Sequence, residues 1–296
     1  MNHPILTLAL SLSMATLPML ALATDSQADA GQDSTETEVT TKEVTEKKEL
    51  DKDSVKALAK KAQNPVANMN SLQLQNNTNT GIGPDDGTQN MLNIIPVLPF
   101  KLSDDILYIT RTIVPVTSQP DFLTGGEGRI NGLGDTTFSS FLSPMKSDVT
   151  WGVGPIFLLP TATDDALGAE KWGAGLTAIL LAQPGNWVYG GIVSNVWSIG
   201  GSGEKDINLF SLQYFINYNL DNGWYLMTSP IITGDWEADN DHRWTLPFGG
   251  GVGRVFRIGK QPVNLQLSAY WNVLTPDDYG ADWQVRTLFQ FLFPKK

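Results

Sequence analysis

His242 is the first residue to consider for chemistry, because it is the only histidine beyond residue 3. It lies in the segment DWEADNDHRW, residues 235–244, directly after an aspartate. A carboxylate beside a histidine can activate water or a serine for hydrolysis. The alternative is a solvated histidine in an acidic loop. The chain has no cysteine, which excludes thiol catalysis, disulfides and cysteine metal sites.

Arg111 and Asp135 form the second candidate for chemistry. In an antiparallel hairpin where Thr117 faces Arg129, residue numbers across the hairpin add to a constant. Arg111 then lies opposite Asp135. A charge on a lipid-facing surface is costly, so both side chains are expected on the inner side of a sheet. The pair could be a salt bridge that braces the wall or a selectivity filter in a pore.

Acidic residues crowd the segments between the apolar stretches, where basic residues are few. These acidic residues are Asp85, Asp86, Asp121, Glu127, Asp164, Asp165, Glu170, Glu204, Asp206, Asp235, Glu237, Asp239, Asp241, Asp277, Asp278 and Asp282. They could concentrate cations or hold calcium, or they could simply keep exposed loops soluble. No segment has the ligand spacing of a known calcium motif. The glycines at 132–134 and 249–253 lack the following helix of a phosphate cradle, so we predict bends or tight packing there and no cofactor.

Residues 261–293 show which elements position these side chains. Apolar and polar residues alternate in QPVNLQLSAYWNVL and again in WQVRTLFQFLF, on either side of an acidic turn. This two-residue period predicts strands, and about ten residues is the length that a tilted strand needs to cross a bilayer. The apolar face is then predicted to contact lipid. The residues predicted to line the lumen are Arg111, Asp135, Asn264, Gln266, Ser268, Tyr270, Asn272, Gln284, Arg286 and Gln290.

Twelve strands of this kind fit between the turn-forming segments. Their predicted bounds are 71–80, 90–100, 105–117, 129–142, 149–160, 172–182, 187–199, 207–220, 224–234, 243–257, 262–274 and 282–293. An even number returns the last strand to the side of the first. Short connections alternate with mostly longer ones, as in outer-membrane barrels whose two termini are periplasmic. The predicted fold is an all-β, closed antiparallel transmembrane β-barrel of about 12 strands in the bacterial outer membrane.

Tryptophans lie near the ends of the predicted strands, close to both sets of connections. They are Trp151, Trp172, Trp187, Trp197, Trp224, Trp236, Trp244, Trp271 and Trp283. We predict two aromatic girdles at the level of the lipid headgroups. Tryptophan also occurs at strand ends in soluble β proteins, which is the alternative explanation.

The N-terminal part of the chain is predicted to lie outside the barrel domain, which spans residues 65–296. Residues 1–23 resemble a secretory signal with a small-residue cleavage site, although a retained membrane helix is the alternative. Residues 24–64 form an acidic, disordered periplasmic leader with few apolar residues. The spacing of Val55, Leu58, Ala59 and Ala62 predicts a short helix near 54–63. That helix could dock at the barrel mouth or plug the lumen.

Several short segments resemble a known family. They are AQNPVANMNSLQLQNNTNTGIGPDDGTQNMLNIIPVLP at 62–99, GLGD at 132–135, LPTATD at 159–164 and GKQP at 259–262. From about Leu58 to Phe293 the chain is similar to the outer-membrane barrels named for the meta-pathway of phenol degradation. The resemblance implies a barrel, an outer-membrane location and a transport role. Such barrels commonly end on an aromatic residue that the barrel-assembly machinery reads, whereas Pro294, Lys295 and Lys296 follow Phe293 here.

The main functional prediction is a channel, not an enzyme, for passive passage of a small, modestly hydrophobic solute. Twelve strands fall between the filled eight-stranded barrel and the open sixteen-stranded pore, so a narrow lumen is expected. The predicted partners are outer-membrane lipid, lipopolysaccharide, the barrel-assembly machinery and the solute. The net charge of −11 argues against nucleic acid. The alternatives are a non-conducting barrel that stabilises the envelope or binds partners, and a hydrolase that uses His242.

Overall fold

Fourteen strand segments in one antiparallel sheet make up most of the described chain. The computed structural model describes residues 55–83, 85–121, 128–147, 149–277 and 279–294. All of these belong to one compact unit, Glu46–Lys296. The strands are β1 (Met69–Ile82), β2 (Gly87–Lys101), β3 (Ile106–Pro120), β4 (Arg129–Leu133), β5 (Thr136–Pro144), β6 (Thr150–Leu159), β7 (Lys171–Ala182), β8 (Trp187–Gly201), β9 (Asn208–Asn219), β10 (Trp224–Thr228), β11 (Ile231–Asp235), β12 (Trp244–Ile258), β13 (Gln261–Leu274) and β14 (Trp283–Pro294).

The sheet closes on itself, because β1 pairs with both β2 and β14. Strands β4 and β5 both pair with β3, and β10 and β11 both lie between β9 and β12. Each of these two pairs therefore occupies a single position in the wall. The result is a closed, antiparallel barrel of 12 strands, which confirms the predicted fold class.

Two of the predicted strands are interrupted in the structure. The segment predicted as 129–142 breaks at Gly134 and Asp135, and the segment predicted as 224–234 breaks at Ser229 and Pro230. Proline has no backbone N–H to give to the ladder, which accounts for the second break. At the first break, the amide N–H of Gly134 donates to the carbonyl of Pro115 at 2.9 Å.

The predicted pairing of Arg111 with Asp135 is wrong. Arg111 lies opposite Ser139, and Thr117 lies opposite Gly132 instead of Arg129. The strand β3 continues to Pro120, and Pro120 is the residue that lies opposite Arg129. The predicted hairpin instead ends its pairing three residues earlier, at Thr117. The interruption at Gly134 and Asp135 then shifts the pairing by one further residue between β4 and β5.

The alternation of burial along the strands separates an inner face from an outer face. In β13, Asn264 and Tyr270 are fully buried inside the barrel, whereas Leu265 and Leu267 on the outer face are 41% and 54% exposed. A folded chain that leaves rows of large apolar side chains exposed needs an apolar surrounding for them. The outer face thus has the character of a surface that contacts lipid.

The two ends of the barrel differ. The end where β1 begins and β14 ends, here called the terminal end, has short turns such as Gly259–Lys260. The opposite loop end has longer connections, including residues 160–170, which contain a 3-10 turn (Asp165–Leu167), and residues 236–243, which contain the short helix α2 (Asn240–Arg243). A second 3-10 turn, Asp221–Gly223, lies at the terminal end.

Helix α1, at residues 55–62, precedes the barrel. Within the described ranges, no helix is both long enough and apolar enough to span a membrane. The predicted signal at 1–23, and the part of the leader before residue 55, lie outside the described residues. Those two assignments stay predictions.

Candidate functional site in the barrel lumen

Helix α1 packs its apolar face against inward-facing residues at the terminal end of the barrel. Leu58 and Ala59 are 8% and 1% exposed, and they form one buried cluster with five residues from four strands. The strand residues of this cluster are Met69, Tyr225, Met227, Val255 and Leu292. An eight-residue helix is marginal in water, so this burial is what stabilises it. The helix that the spacing predicts near 54–63 is therefore present, and its buried face packs against inward-facing residues of the barrel.

The chain that follows α1 adds polar and apolar contacts to the same place. The side-chain amide of Gln63 donates to Asn219 Oδ1 at 2.8 Å, and both residues are buried. Lys60 and Gln183 exchange two hydrogen bonds, each from a side-chain nitrogen to the other's carbonyl oxygen, at 3.0 and 2.8 Å. Val66 packs into a second buried cluster from β2, β3, β5 and β7. Residues 55–67, here called the N-terminal segment, thus fill the terminal end of the lumen.

Directly above the N-terminal segment lies a polar chamber that is continuous with solvent. Ala62, Gln63 and Pro65 form its floor. Its walls are formed by Gln73, Gln75, Arg111, Ile192, Gln213, Phe215, Asn217, Met227, Ser229, Gln266, Arg286, Leu288 and Gln290. Amides dominate this set, so the chamber offers both donors and acceptors of hydrogen bonds to a solute.

Arg286 is the best-bonded side chain of the polar chamber. Its Nε donates to Asn77 Oδ1 at 3.2 Å, one terminal nitrogen donates to the Ser229 carbonyl at 2.8 Å, and the other donates to Gln284 Oε1 at 2.8 Å. The ring of Tyr270 lies 5.1 Å from the guanidinium carbon. All three acceptors are neutral. Arg286 has no carboxylate partner among the described residues.

The break between β10 and β11 is held by the same residues. The amide N–H of Ser229 donates to the Tyr270 hydroxyl oxygen at 3.2 Å, while the Ser229 carbonyl accepts from Arg286. Beside the break, the hydroxyl of Thr228, the last residue of β10, donates to the Gly249 carbonyl of β12 at 2.7 Å. Ladder bonds that the wall lacks at Ser229 and Pro230 are thus replaced by bonds to lumen side chains. Arg286 and Tyr270 thereby join β10 and β11 to β14 and β13, across the intervening strand β12.

A row of amide side chains extends from Arg286 towards the loop end. Gln284 donates to Asn79 at 3.0 Å, Asn79 to Gln89 at 2.8 Å, and Gln89 to Gln119 at 2.7 Å. Gln119 in turn donates to the carbonyl of Ala166 in the loop at 3.0 Å. Each amide is held by the next, so this side of the lumen is a preorganised polar surface.

The opposite side of the lumen is largely apolar. A second chamber lies there, and it shares Arg111, Ile192 and Gln213 with the polar chamber. Its other wall residues are Ile113, Thr137, Ser139, Phe141, Ile156, Leu158, Thr177, Ser194, Val196, Leu209, Ser211 and Ile231. Of the residues predicted to line the lumen, Arg111 is the one that belongs to this wall, and the apolar side was not predicted.

Gly253 shows why a glycine is needed in the wall of this lumen. The ring of Tyr225 covers it, and an added Cβ would collide with that ring. The Tyr225 hydroxyl donates to Asn264 Oδ1 at 2.7 Å, and the Asn264 amide donates to Gln290 at 3.0 Å. The glycine therefore permits the close side-chain packing that the sequence predicts for residues 249–253.

The residues predicted to line the lumen fall into three groups. Arg111, Gln266, Arg286 and Gln290 line the polar chamber. Asn264, Ser268 and Tyr270 face inward but are buried beneath their neighbours. Asn272, which donates to the Ala281 carbonyl, lies with Gln284 towards the loop end. Whether a solute contacts any of them remains a proposal.

Asp135 lies apart from this chamber, at the loop end. One carboxylate oxygen accepts from the amide of Ala162 at 3.2 Å and the other from the amide of Ala169 at 2.7 Å. The 160–170 connection is thereby fixed to the wall. Asp135 braces a loop through backbone amides, which differs from the salt bridge expected from the sequence.

We expect Asp135→Ala to reduce the free energy of unfolding by about 1 to 3 kcal/mol, because two loop amides lose their acceptor. Urea unfolding and limited proteolysis of the 160–170 connection would measure this. Asp165→Ala, at an exposed position in the same loop, is the matched control and should change neither. If the two variants behave alike, Asp135 does not hold the loop.

Several lumen residues were missed by the sequence prediction, although the same two-residue period marks them. Gln73, Gln75 and Asn77 alternate with neighbours on β1, and Gln213 and Asn217 do so on β9. No sequence signal pointed to Ser229, because its role comes from the break beside Pro230.

His242 lies in α2 at the loop end, and it is not among the described residues that line the two chambers. Its backbone amide donates to the Asp239 carbonyl at 3.0 Å. Among the described residues, no group of three or more histidine or acidic side chains is placed to hold a metal ion. The acidic loops therefore present no assembled cation site in this part of the chain.

Eight of the nine tryptophans are exposed on the barrel, between 42% and 52%. Trp151, Trp187 and Trp224 begin or nearly begin β6, β8 and β10 at the terminal end, whereas the others lie towards the loop end. Trp244 is half-buried, and its ring centroid lies 5.3 Å from that of Trp236. These positions fit two belts, and contact of the belts with headgroups remains a proposal.

The fold is similar to that of solved outer-membrane proteins. An outer membrane channel from Pseudomonas putida F1 aligns with a TM-score of 0.58 and 16% identity, covering 76% of this chain and 94% of that chain. The CymD monoaromatic hydrocarbon channel aligns with a TM-score of 0.42, 10% identity and coverages of 77% and 88%. A mutant of the TodX monoaromatic hydrocarbon channel aligns with a TM-score of 0.44 and 9% identity, covering 78% of this chain and 93% of that chain. No protein-family model and no curated protein sequence matches the chain.

Proposed function

We propose that this protein is an outer-membrane channel through which a small, modestly hydrophobic solute passes down its gradient. The observation that supports this most directly is the closed barrel with an exposed apolar exterior and solvent-filled chambers inside. The similarity in fold to an outer membrane channel agrees with it. The polar and apolar sides of the lumen together suit a solute with both kinds of surface.

The N-terminal segment favours a second candidate function. Leu58, Ala59 and Val66 are buried in the terminal end of the lumen, so an axial path is closed there. A barrel closed in this way could be a non-conducting structural or partner-binding protein. Conduction requires that the N-terminal segment move or that the solute leave by another route.

Single-channel recording in a planar lipid bilayer tests the main proposal. We expect discrete current steps from the purified, folded full-length protein. A folded protein that inserts but never conducts would instead support the non-conducting alternative. A liposome assay with neutral solutes of increasing size would then measure how narrow the path is.

We place the terminal end of the barrel, with both chain termini, in the periplasm, and the longer acidic loops outside the cell. Outer-membrane lipid, lipopolysaccharide and the barrel-assembly machinery are the proposed partners. Phe293 lies at the end of β14 and is exposed, where the assembly machinery could reach it. Membership of the family named for the meta-pathway of phenol degradation is part of this proposal.

We expect Leu267→Arg to destabilise the folded barrel in lipid by about 2 to 4 kcal/mol, because it places a charge at mid-strand on the lipid-facing surface. Leu267 is 54% exposed on the outer face of β13. The neighbouring Gln266→Arg, which points into the polar chamber, is the matched control. Urea unfolding in lipid vesicles measures both. Equal effects would contradict a lipid-facing exterior.

Hydrolysis by His242 has no supporting observation among the described residues. The test remains simple: if the purified protein hydrolyses phospholipid or peptide substrates, His242→Ala should abolish the activity. Unchanged activity in that variant would remove His242 from consideration.

A further inference from the structure

Arg111 occupies the boundary between the two chambers. It is an inward-facing residue near the middle of β3, and its side chain lines both the polar and the apolar chamber. Ile192 and Gln213 are the other residues that line both. Arg111 is therefore the charged group that a solute meets when it passes between the two sides of the lumen.

The guanidinium of Arg111 has no hydrogen-bond or ion-pair partner among the described residues. The contact recorded at this residue is to its backbone: the Ser139 hydroxyl donates to the Arg111 carbonyl at 3.3 Å. Arg286 is the informative comparison, because all of its guanidinium nitrogens donate to protein acceptors. A guanidinium in an enclosed site is costly unless something accepts its hydrogen bonds. Arg286 stabilises the wall, whereas the donors of Arg111 point to space that a solute can occupy.

The electrostatic environment of this space is positive. Arg111 and Arg286 both line the polar chamber, and none of the described residues that line either chamber is an aspartate or glutamate. The whole chain has a net charge of −11, so the sign inside the lumen is opposite to that of the protein. Charges of one sign that line a narrow space with protein walls act more strongly on a solute than charges at an exposed surface. The lumen thus attracts an anion, and repels a cation, at this depth.

The apolar chamber determines what kind of anion fits. Ile113, Phe141 and Ile156 form an apolar wall beside Arg111, and an apolar lining with a few placed polar groups is typical of small-ligand sites. A carboxylate can accept two parallel hydrogen bonds from a guanidinium, while an apolar body would displace water from the isoleucines and phenylalanine.

We infer that Arg111 and the adjoining apolar chamber form a binding site for a small organic anion, with its carboxylate on the guanidinium and its apolar body against Ile113, Phe141 and Ile156. This inference rests on the proposed channel function and specifies its solute: an amphiphilic carboxylate in place of a neutral hydrophobic molecule. Arg111 would be the residue that determines specificity.

Isothermal titration calorimetry of the full-length protein in detergent, with benzoate as the probe, tests the inference. We expect Arg111→Gln to weaken benzoate binding about tenfold to a hundredfold, because a charge-assisted pair of hydrogen bonds is lost. Arg111→Lys keeps the charge without the planar fork, so an intermediate affinity is expected. Benzamide, which has the same ring but no charge, should bind the wild-type protein as weakly as benzoate binds Arg111→Gln.

Arg254→Gln is the matched control, because it removes the same charge from the outer face, where the Arg254 side chain lies over the Trp224 ring at 5.0 Å. It should leave benzoate affinity unchanged. Equal binding of benzoate by the wild type and Arg111→Gln, equal binding of benzamide and benzoate, or no binding of benzoate at all would overturn the inference.

Conduction is measured separately. A conducting barrel without benzoate binding contradicts only the anion site, while a barrel that binds benzoate and never conducts contradicts only the channel.

Discussion

Deletion of residues 25–67 is expected to raise single-channel conductance several-fold relative to the full-length protein. The deletion removes the N-terminal segment, whose Leu58, Ala59 and Val66 are buried against inward-facing strand residues. It also removes Gln63, which is hydrogen-bonded to Asn219 within the barrel. With these contacts gone, water can fill the terminal end of the lumen. The polar chamber would then open at both ends.

Deletion of residues 25–45 alone is the matched control, because it shortens the leader and leaves every described contact of the N-terminal segment intact. Its conductance should equal that of the full-length protein. Recordings from both variants in the same bilayer, together with heat-modified migration on gels to show that each is folded, decide the outcome. If the longer deletion conducts no better than the control, the N-terminal segment does not limit permeation, and a path that avoids the terminal end is required.

Substitution of Arg286 by methionine is expected to lower the free energy of unfolding by an amount on the order of 4 kcal/mol. Three hydrogen bonds from a charged donor are lost at once, and Asn77, Gln284 and the Ser229 carbonyl are left without that donor inside the barrel. The Ser229 carbonyl matters most, because it belongs to the break between β10 and β11. We therefore expect the wall to loosen there first.

Urea unfolding in lipid vesicles measures the total effect, and hydrogen exchange at residues 228–232 measures the local one. Arg254→Met is the control: it removes an arginine of the outer face whose recorded contacts are with aromatic rings, and we expect a loss of about 1 kcal/mol or less. Similar losses in both variants would show that Arg286 is not what holds the break together. Arg286→Lys should recover only part of the stability, because an ammonium group does not reproduce the fork of three nitrogens.

The distinction between Arg111 and Arg286 has a functional consequence. Both are inward-facing arginines of the polar chamber. All three guanidinium nitrogens of Arg286 donate to protein acceptors, whereas the guanidinium of Arg111 has no partner among the described residues. A change at Arg286 is expected to act on stability, and a change at Arg111 on the choice of solute. A salt bridge between Arg111 and Asp135 that braces the wall is excluded, because the Asp135 carboxylate accepts from two loop amides instead.

The twelve positions in the wall, the inner and outer faces and the short and long connections could all be predicted from the sequence. The reason is that a strand in a barrel with lipid outside and water inside must alternate with a period of two, and each chain segment shows that period by itself. Leu265 and Leu267 therefore fell correctly on the outer face, and Asn264 and Tyr270 on the inner face.

Only the tertiary structure decided which inward-facing residues meet. Register depends on where a hairpin closes and where a strand is interrupted, and a displacement of a few residues moved Arg111 from Asp135 to Ser139. The spacing of Leu58 and Ala59 predicts an apolar helix face, but not the inward-facing residues that bury it. The apolar side of the lumen, the break at Ser229 and the unpartnered guanidinium of Arg111 likewise arise only when strands distant in sequence close around one space. Alternation is a property of a single strand, whereas register and lumen contacts are properties of the closed barrel.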